Sequence, residues 1–565
     1  MPGLQIFSVM SGARDWLGLF MWVTLLTPLA GSLAVMLIGR WRSAWVPWTA
    51  LLSAIVTFAG SWGMFASYRF LVEYKRLSSE QPVSPVILFE HELLRLGNDH
   101  HGLNFRCILG ADGISVVLVW LVSILALSSV LISIKSVRTR QVEYYALLLL
   151  MVTASTGVFL AFDLILFYVF FEFTLVPMFF LIGIWGGPER RYAAGKFFIY
   201  TLAGSLIGLI ALLGFTVQSH ALAEHIRSNV EPADKRHAID HVASNSCSLI
   251  ELTNISRKVS LESSRDAEML NRWGQLQAWV FWGLFLAFAI KVPLVPLHTW
   301  LPLAHVEAPT AGSVFLAGVL LKLGTYGFLR VCLPLLPQAT FQYGATAISL
   351  LALGGIIYGS LCAAAQWDIK RLVAYSSIAH MGFCMLGMAS LNSTGLAGSV
   401  LEMVNHGLST GGLFLLVGML YDRYHTRIMH QLGGLAKRLP LWTFFLVWMS
   451  MASIALPGLN GFVSETLCLA GMFRVWPAYA VTGTVGIILA VWYMLNMIRQ
   501  VAFGALREPE THYASNGSED LNVYEWLAIA VPAALCLVLG VYPNAILDLI
   551  RPDVQGLEYL FASLR

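Results

Sequence analysis

The sequence predicts an all-α polytopic membrane protein of about fourteen transmembrane helices. Apolar runs of about 20 residues, the length that crosses a roughly 30 Å hydrocarbon core, recur from end to end. The 565-residue chain is 57% hydrophobic and only 12% charged, with a mean hydropathy of +0.71; an ordinary soluble domain has roughly 25% charged residues. Ionisable residues and prolines interrupt the runs once in each half, the pattern of transporters built from inverted repeats with broken helices. One bundle accounts for the length better than several soluble domains.

Composition also excludes several functions. A formal charge of +3 is too small to imply a nucleic-acid partner. Seven cysteines, at positions 107, 247, 332, 362, 384, 468 and 536, stand singly with no C-x-x-C, so no iron–sulfur cluster or structural zinc is encoded. Neither G-x-G-x-x-G nor G-x-x-x-x-G-K-[ST] occurs, and no cofactor or metal is expected in this chain.

In chain order the spans fall near 18–39, 47–66, 112–133, 142–160, 162–186, 194–216, 276–297, 309–331, 343–364, 371–391, 396–421, 440–473, 475–503 and 523–547. The N-terminus lacks the basic start and cleavage site of a signal peptide, so the first span is expected to stay. Short loops after odd-numbered spans hold most basic residues, including Arg40, Arg42, Lys135, Arg138, Arg190, Arg191, Lys370 and Arg371. The positive-inside rule then puts those loops in the cytoplasm or matrix, together with a turn at 298–308, and both termini opposite. Residues 67–106 and 217–275 are polar, and both are expected as loops on the outer side. The second carries His220, His225, His237 and His241. His237 and His241 would share a helix face, but no cysteine or carboxylate completes a ligand set, so a solvated insertion touching a neighbouring subunit is the expectation.

The ionisable residues inside the spans carry the chemistry. An intramembrane charge is costly and faces the protein interior, a partner or a wet pathway. Glu172 lies about ten residues into the fifth span, near mid-membrane, with nothing nearby in sequence to neutralise it. Pro177 suggests an irregularity on the same helix. Residues 291–327, KVPLVPLHTWLPLAHVEAPTAGSVFLAGVLLKLGTYG, hold two lysines, two histidines, a glutamate and four prolines. Lys291 precedes the breakers Pro293 and Pro296, and Pro309 is placed to start the next helix, in which Lys322 sits. His298 and His305 are placed to bridge the lysines, since imidazole both donates and accepts protons. Glu307 reads as exposed or as a helix N-cap partner.

The second half has His380 in the tenth span, Glu402 and His406 one turn apart in the eleventh, and Glu465 in the twelfth after a Pro-Gly break. Glu402 is expected to pair with His406. Asp368, Lys370 and Arg371 read as an exposed cluster at a helix start, and Asp112 and Asp163 as surface groups near helix ends.

At these residues the sequence resembles the antiporter-like membrane subunits of respiratory complex I (NADH:ubiquinone oxidoreductase). KVPLVPLHTWLPLAHVEAPTAGSVFLAGVLLKLGTYGFLR is similar to the family's most characteristic signature, and KRLVAYSSIAHMGF, NHGLSTGGLFLLVGMLYDR and LPGLNGFVSE follow in the family's order. Similarity covers roughly 110–216 and 276–505. The resemblance implies fourteen helices with two inverted five-helix repeats, each with a half-channel, joined by a polar axis. It divides the chain into N-terminal helices and a polar loop (1–110), a first repeat region (111–335), a second (336–505), and a C-terminal helix and tail (506–565).

By resemblance, Glu172, Lys291 and Lys322 are the glutamate of the fifth helix, the lysine of the broken seventh and the lysine of the eighth, and His380 and His406 extend the axis. His298, placed by its own position between the lysines, is assigned with them to proton translocation. Glu465 is, by resemblance, the terminal site. Subunits 2 and 5 of the family carry lysine at that last position, and subunit 5 ends in a long lateral helix for which the tail here leaves no room. The chain departs from the family at Ser464-Glu465-Thr466, where GEF is common, at Leu303, where glutamate is common, and at Glu402, which lies outside the family pattern.

The implied function is proton translocation coupled to NADH:ubiquinone oxidoreduction. FMN, iron–sulfur clusters and ubiquinone would lie in partner subunits, the neighbours would include subunits 2 and 5 and membrane lipids, and the location would be the mitochondrial inner membrane or, alternatively, a bacterial plasma membrane. The rival function is a subunit of a multisubunit sodium/proton antiporter.

Overall fold

The computed structural model describes residues 2–78, 85–96, 103–229, 246–263, 267–509, 520–562 and 564. In chain order the elements are α1 (Pro2–Gly39), α2 (Val46–Ser78), the hairpin β1 (Val86–Leu96) and β2 (Leu103–Ala111), α3 (Gly113–Ser136), α4 (Gln141–Leu160), α5 (Leu164–Phe173) and α6 (Leu175–Trp185). Then come α7 (Arg190–Asn229), α8 (Leu249–Ser263), α9 (Ala267–Lys291), α10 (Trp300–Glu307), α11 (Thr310–Leu335), α12 (Pro337–Ala364) and α13 (Ile369–Ala389). The chain ends with α14 (Ser393–Tyr424), α15 (Pro440–Ser453), α16 (Asn460–Phe473), α17 (Pro477–Val501), α18 (Val523–Val541) and α19 (Asn544–Ala562). Thirteen helical stretches among the described residues, α5 with α6 counting as one, are long and apolar enough to cross a membrane, and α15 with α16 forms a further, interrupted one.

Burial sorts these helices into an inner and an outer set. In the most apolar stretches of α3, α11, α13 and α14, 89 to 94% of residues are buried, against 33 to 56% for α1, α2, α7, α9, α12, α17 and α18. Helices apolar all round belong in the interior, and it is these that carry Lys322, His380, Glu402 and His406. Their charged groups are therefore screened from lipid by a ring of other helices.

Both proline-marked breaks occur, with the same local solution. The α9 helix stops at Lys291, where Pro293 has no N–H to continue it, and Leu294 N reaches back five residues to Ala289 O at 2.9 Å. Ile290 O, bypassed by that wrap, accepts instead from the Trp300 indole at 2.8 Å. In the second half α15 stops at Ser453, and Leu456 N reaches Met451 O at 3.2 Å before Pro457 and Gly458. Gly458 has φ +94°, a conformation that favours glycine. At the first break the freed carbonyl is thus met by protein, as broken helices at membrane depth require. The irregularity near Pro177 is a break at Thr174 between α5 and α6. Within α11, wide turns at Leu316–Leu320 and Phe328–Cys332 flank Lys322; such π-turns are frequent at functional sites.

Several sequence expectations are corrected. The segment 67–106 is not a loop: α2 runs to Ser78, and the antiparallel hairpin follows. The turn at 298–308 contains α10, because Pro302 sits in its first turn, where no N–H is needed. The C-terminal tail is α19, which buries Ile546, Leu549, Ile550, Val554 and Phe561 along one face. It packs so close to the start of α3 that a Cβ on Gly113 would lie 2.1 Å from Leu549 O.

The 217–275 insertion is not wholly solvated: one face of α8 is packed, with Leu252, Ile255 and Val259 buried and Ser256 Oγ donating to Leu335 O at 2.7 Å, while Asn254, Arg257 and Lys258 stay exposed. His220 is buried with Nδ1 2.7 Å from Thr216 O. The His237–His241 pair and the His225 side chain lie outside the described residues.

Asp112 and Asp163 are not surface groups either. Asp112, 1% exposed, accepts from Ser115 N at 2.8 Å as the cap of α3 and pairs with Arg330. Asp163 caps α5 through Ile165 N and Leu166 N at 3.0 and 3.1 Å. Burial pushes its carboxyl up to about 6, against the pull of those N–H groups and of Arg106.

Candidate functional site

Ionisable groups, buried except for the half-buried Glu172, gather on the membrane-spanning helices of both halves. In the first, Glu172 on α5 and Lys291 at the end of α9 feel each other's charge but form no ion pair within 4 Å among the described residues. Lys291 Nζ sits over the Phe171 ring at 4.6 Å, a cation–π contact that partly offsets its burial. The Ser205 hydroxyl lies beside Glu172. A carboxylate and an ammonium held near each other without a locked hydrogen bond can separate without breaking one.

Beyond the α9 break the residues diverge. His298 packs edge-on against Tyr358 at 5.3 Å, and His305 stacks on Phe414 at 4.5 Å with a 4° tilt. Neither histidine hydrogen-bonds to the two lysines it was placed to bridge, although His305 feels the charges of Lys322 and Lys370. Glu307 is buried rather than exposed; its Oε2 accepts from Glu189 N at 2.9 Å, just ahead of α7, so the N-cap reading fits. Lys370 is also buried, which corrects its place in an exposed cluster. Its Nζ donates to Ala308 O at 2.6 Å and Val306 O at 3.3 Å, and Arg427 donates to Val306 O at 2.9 Å.

The second half forms the tighter arrangement. Lys322 Nζ donates to Ala317 O inside the first wide turn of α11 and lies 2.6 Å from His406 Nδ1 on α14. The His406 and His380 rings follow at 5.7 Å between centroids. His380 Nδ1 is 3.1 Å from Glu465 Oε1, and its Nε2 is 3.1 Å from Ser453 Oγ at the end of α15. Both helix breaks thus carry a member of the line: Lys291 ends α9, while Ser453 and Glu465 flank the gap between α15 and α16. Among the described residues the structure brings Lys322, His406, His380 and Glu465 into one cluster and sets Glu172 and Lys291 as a second; His298 joins neither.

Glu402 does not pair with His406 as its position one turn away suggests. It faces His380 Nδ1 at 3.8 Å and accepts from Ser464 Oγ at 2.6 Å. Nothing local in the sequence signals this, because the partners lie on other helices. His380, Glu402 and Glu465 each offer one donor atom within 4.8 Å of the others, the one His/Cys/Asp/Glu group among the described residues compact enough to surround a single small cation. Chemically, a lysine, two imidazoles and a carboxylate in sequence can pass a proton between groups that alternate as donor and acceptor.

Known proteins are similar to this chain in sequence and in fold. The family described as "NADH:quinone oxidoreductase/Mrp antiporter, TM" matches residues 161–233 and 238–490. NADH-quinone oxidoreductase subunit M of Rhodobacter capsulatus is 38% identical over 514 residues, covering 90% of each chain. NADH-ubiquinone oxidoreductase chain 4 of Marchantia polymorpha is 35% identical over 535 residues, covering 94% of this chain and 96% of that one. A chain in the structure of respiratory complex I from Thermus thermophilus with bound NADH superposes with a TM-score of 0.74 at 28% identity, covering 96% of this chain and 99% of that one. A chain of the Mrp complex from Dietzia sp. DQ12-45-1b shares the fold, with a TM-score of 0.71 at 20% identity and coverage of 97% and 100%.

Proposed function

The chain belongs to the NADH:quinone oxidoreductase/Mrp antiporter membrane family, and from that membership we propose that it is the proton-translocating subunit of respiratory complex I known as M in bacteria and chain 4 in mitochondria. The observation that carries this reading is the buried Lys322–His406–His380–Glu465 line, with Glu172 and Lys291 behind it. Redox energy released elsewhere in the assembly shifts the Glu172–Lys291 charges; the change at Lys291 favours release of the Lys322 proton to His406, and the proton passes through His380 to Glu465. A membrane potential opposes each charge moved by about 2.3 kcal/mol per 100 mV, so the two half-channels must not open together.

On this reading the chain is part of an oxidoreductase that also acts as a translocase, while flavin, iron–sulfur clusters and quinone are held by partner subunits. Its neighbours are the other membrane-arm subunits, those of the subunit 2 and subunit 5 type flanking it. The chain is multi-pass. Its membrane is the mitochondrial inner membrane or a bacterial plasma membrane, and the predominance of bacterial relatives supports the second.

The rival within the family is a sodium/proton antiporter subunit. Isolation of the native complex decides between them. Flavin and iron–sulfur partners with NADH-driven acidification of sealed vesicles support the proposal; sodium-dependent proton exchange without NADH oxidation overturns it.

A further inference from the structure

We infer that Glu402 is a second proton-binding carboxylate of the terminal cluster, so that the relay through His380 delivers to a Glu402/Glu465 pair rather than to Glu465 alone. The inference rests on the proton-translocating reading and adds a site that the resemblance does not supply.

Both carboxylates address the same atom. Glu465 Oε1 is 3.1 Å and Glu402 Oε1 3.8 Å from His380 Nδ1, with Glu402 2% and Glu465 3% exposed. One ring N–H cannot serve two acceptors equally, and the nearest lysine, Lys322, is committed to His406 and Ala317 O. Two buried carboxylates around one imidazole therefore share a proton, because like charges this close in a poorly solvated site are not held together without one.

The surrounding contacts distinguish the two oxygens of Glu402. Ser464 Oγ accepts from Asn405 Nδ2 at 3.0 Å and lies 2.6 Å from Glu402 Oε2, with Gly461 O a second acceptor for its hydroxyl at 3.1 Å. Oε2 is thus engaged with Ser464, and Oε1 is the oxygen that faces His380. In the transfer, the His380 Nδ1–H bond breaks as an O–H bond forms on Glu402 Oε1 or Glu465 Oε1, with no change of oxidation state. Position supports the role too: Glu402 is one turn from His406 on α14, and its Ser464 partner directly precedes Glu465 on α16. The second carboxylate holds a proton while Glu465 gives one up, so that arrival from His380 and departure from Glu465 need not coincide.

A purely structural Glu402 would serve only as the acceptor for Ser464, a role that the carbonyl of Glu402→Gln preserves. The assembled complex carrying E402Q, E402D or E465Q is compared with wild type for protons ejected per NADH oxidised in proteoliposomes, and for the infrared carbonyl band of a protonated carboxylic acid during turnover. The inference expects E402Q to lose a carboxylic-acid band and to lower the proton ratio by a loss comparable to that of E465Q, with E402D restoring both in part. A wild-type ratio and an unchanged spectrum in E402Q, while E465Q loses pumping, overturns the inference and leaves the functional reading standing. Normal pumping in both E402Q and E465Q overturns both. Should E402Q fail to assemble, E402D decides: a shifted carboxylic-acid band supports the inference, and an unshifted one overturns it.

Discussion

Lys322 and His406 meet nitrogen to nitrogen, Nζ to Nδ1 at 2.6 Å, where neither side chain is more than 2% exposed. When Lys322 is an ammonium it donates to that nitrogen, which requires a neutral His406 with its proton on Nε2, a nitrogen that has no hydrogen-bond partner among the described residues. Transfer from Lys322 adds the second proton to the ring, and release toward His380 must leave from the other nitrogen. The ring has a receiving side and a giving side.

His406→Ala is therefore expected to interrupt the line between Lys322 and His380 while leaving Lys322 its bond to Ala317 O. General acid–base groups commonly contribute about 10²–10⁴-fold to a rate, so NADH-driven acidification of sealed vesicles should fall by at least about tenfold in an assembled complex. Acidification at the wild-type rate removes His406 from the path.

The Glu172–Lys291 pair lacks such a contact, and its members feel each other only through charge. Glu172→Gln and Lys291→Ala are each expected to assemble normally and to lose quinone-linked turnover together with pumping. Full turnover in either variant, measured in vesicles, would show that the corresponding charge is dispensable.

Asp112 has two structural duties, capping α3 and pairing with Arg330, whose Nε also donates to Tyr326 Oη at 3.1 Å. Asp112→Ala leaves a largely buried guanidinium without its carboxylate, which costs about 3–5 kcal/mol in comparable sites, and it removes a cap worth roughly 0.5–2 kcal/mol. A markedly lower Tm in detergent is expected. An unchanged Tm would mean that the pair carries no net stability.

Asp163 gives a pH-dependent outcome. Its carboxyl stands at about 6, above the ordinary 3.8, because burial disfavours the charged form. The sign follows: the stabilisation of the neutral form is fully present below pH 3.8 and is lost as pH rises through about 6, so the fold bears the penalty at neutral pH. Asp163→Asn keeps a side-chain oxygen for Ile165 N and Leu166 N without the charge. It should raise Tm near pH 7.5 and have little effect near pH 4.5. An equal shift at both pH values would show that the carboxylate is not the cause.

The spans were legible because hydropathy is written along the chain, one helix at a time. The breaks after Lys291 and Ser453 were legible because proline acts on its own helix. Partners across helices were not. His380 and Glu465 are 85 positions apart, Lys322 and His406 84, and Lys370 meets carbonyls 62 and 64 positions before it. Resemblance supplied the residues of the line without their distances, and for Glu402, outside the family pattern, it supplied nothing; only packing turns Glu402 away from its helical neighbour toward His380. The hairpin escaped because a charged, alternating strand such as FEHELLRL reads as a polar loop when its partner strand is not known.

The eight-residue α10 is tied from both sides. Its C-terminal carbonyls are held by Lys370 and Arg427 from the second half, while Glu307 holds the backbone ahead of α7 in the first through Glu189 N and Gly187 N. All of these bonds lie at residues 306–308, so a displacement of this short helix strains its C-terminal end against both halves at once. The carbonyl end of α10 is thus a shared anchor: losing the Lys370 and Arg427 donors would free it from the second half while its ties ahead of α7 remain.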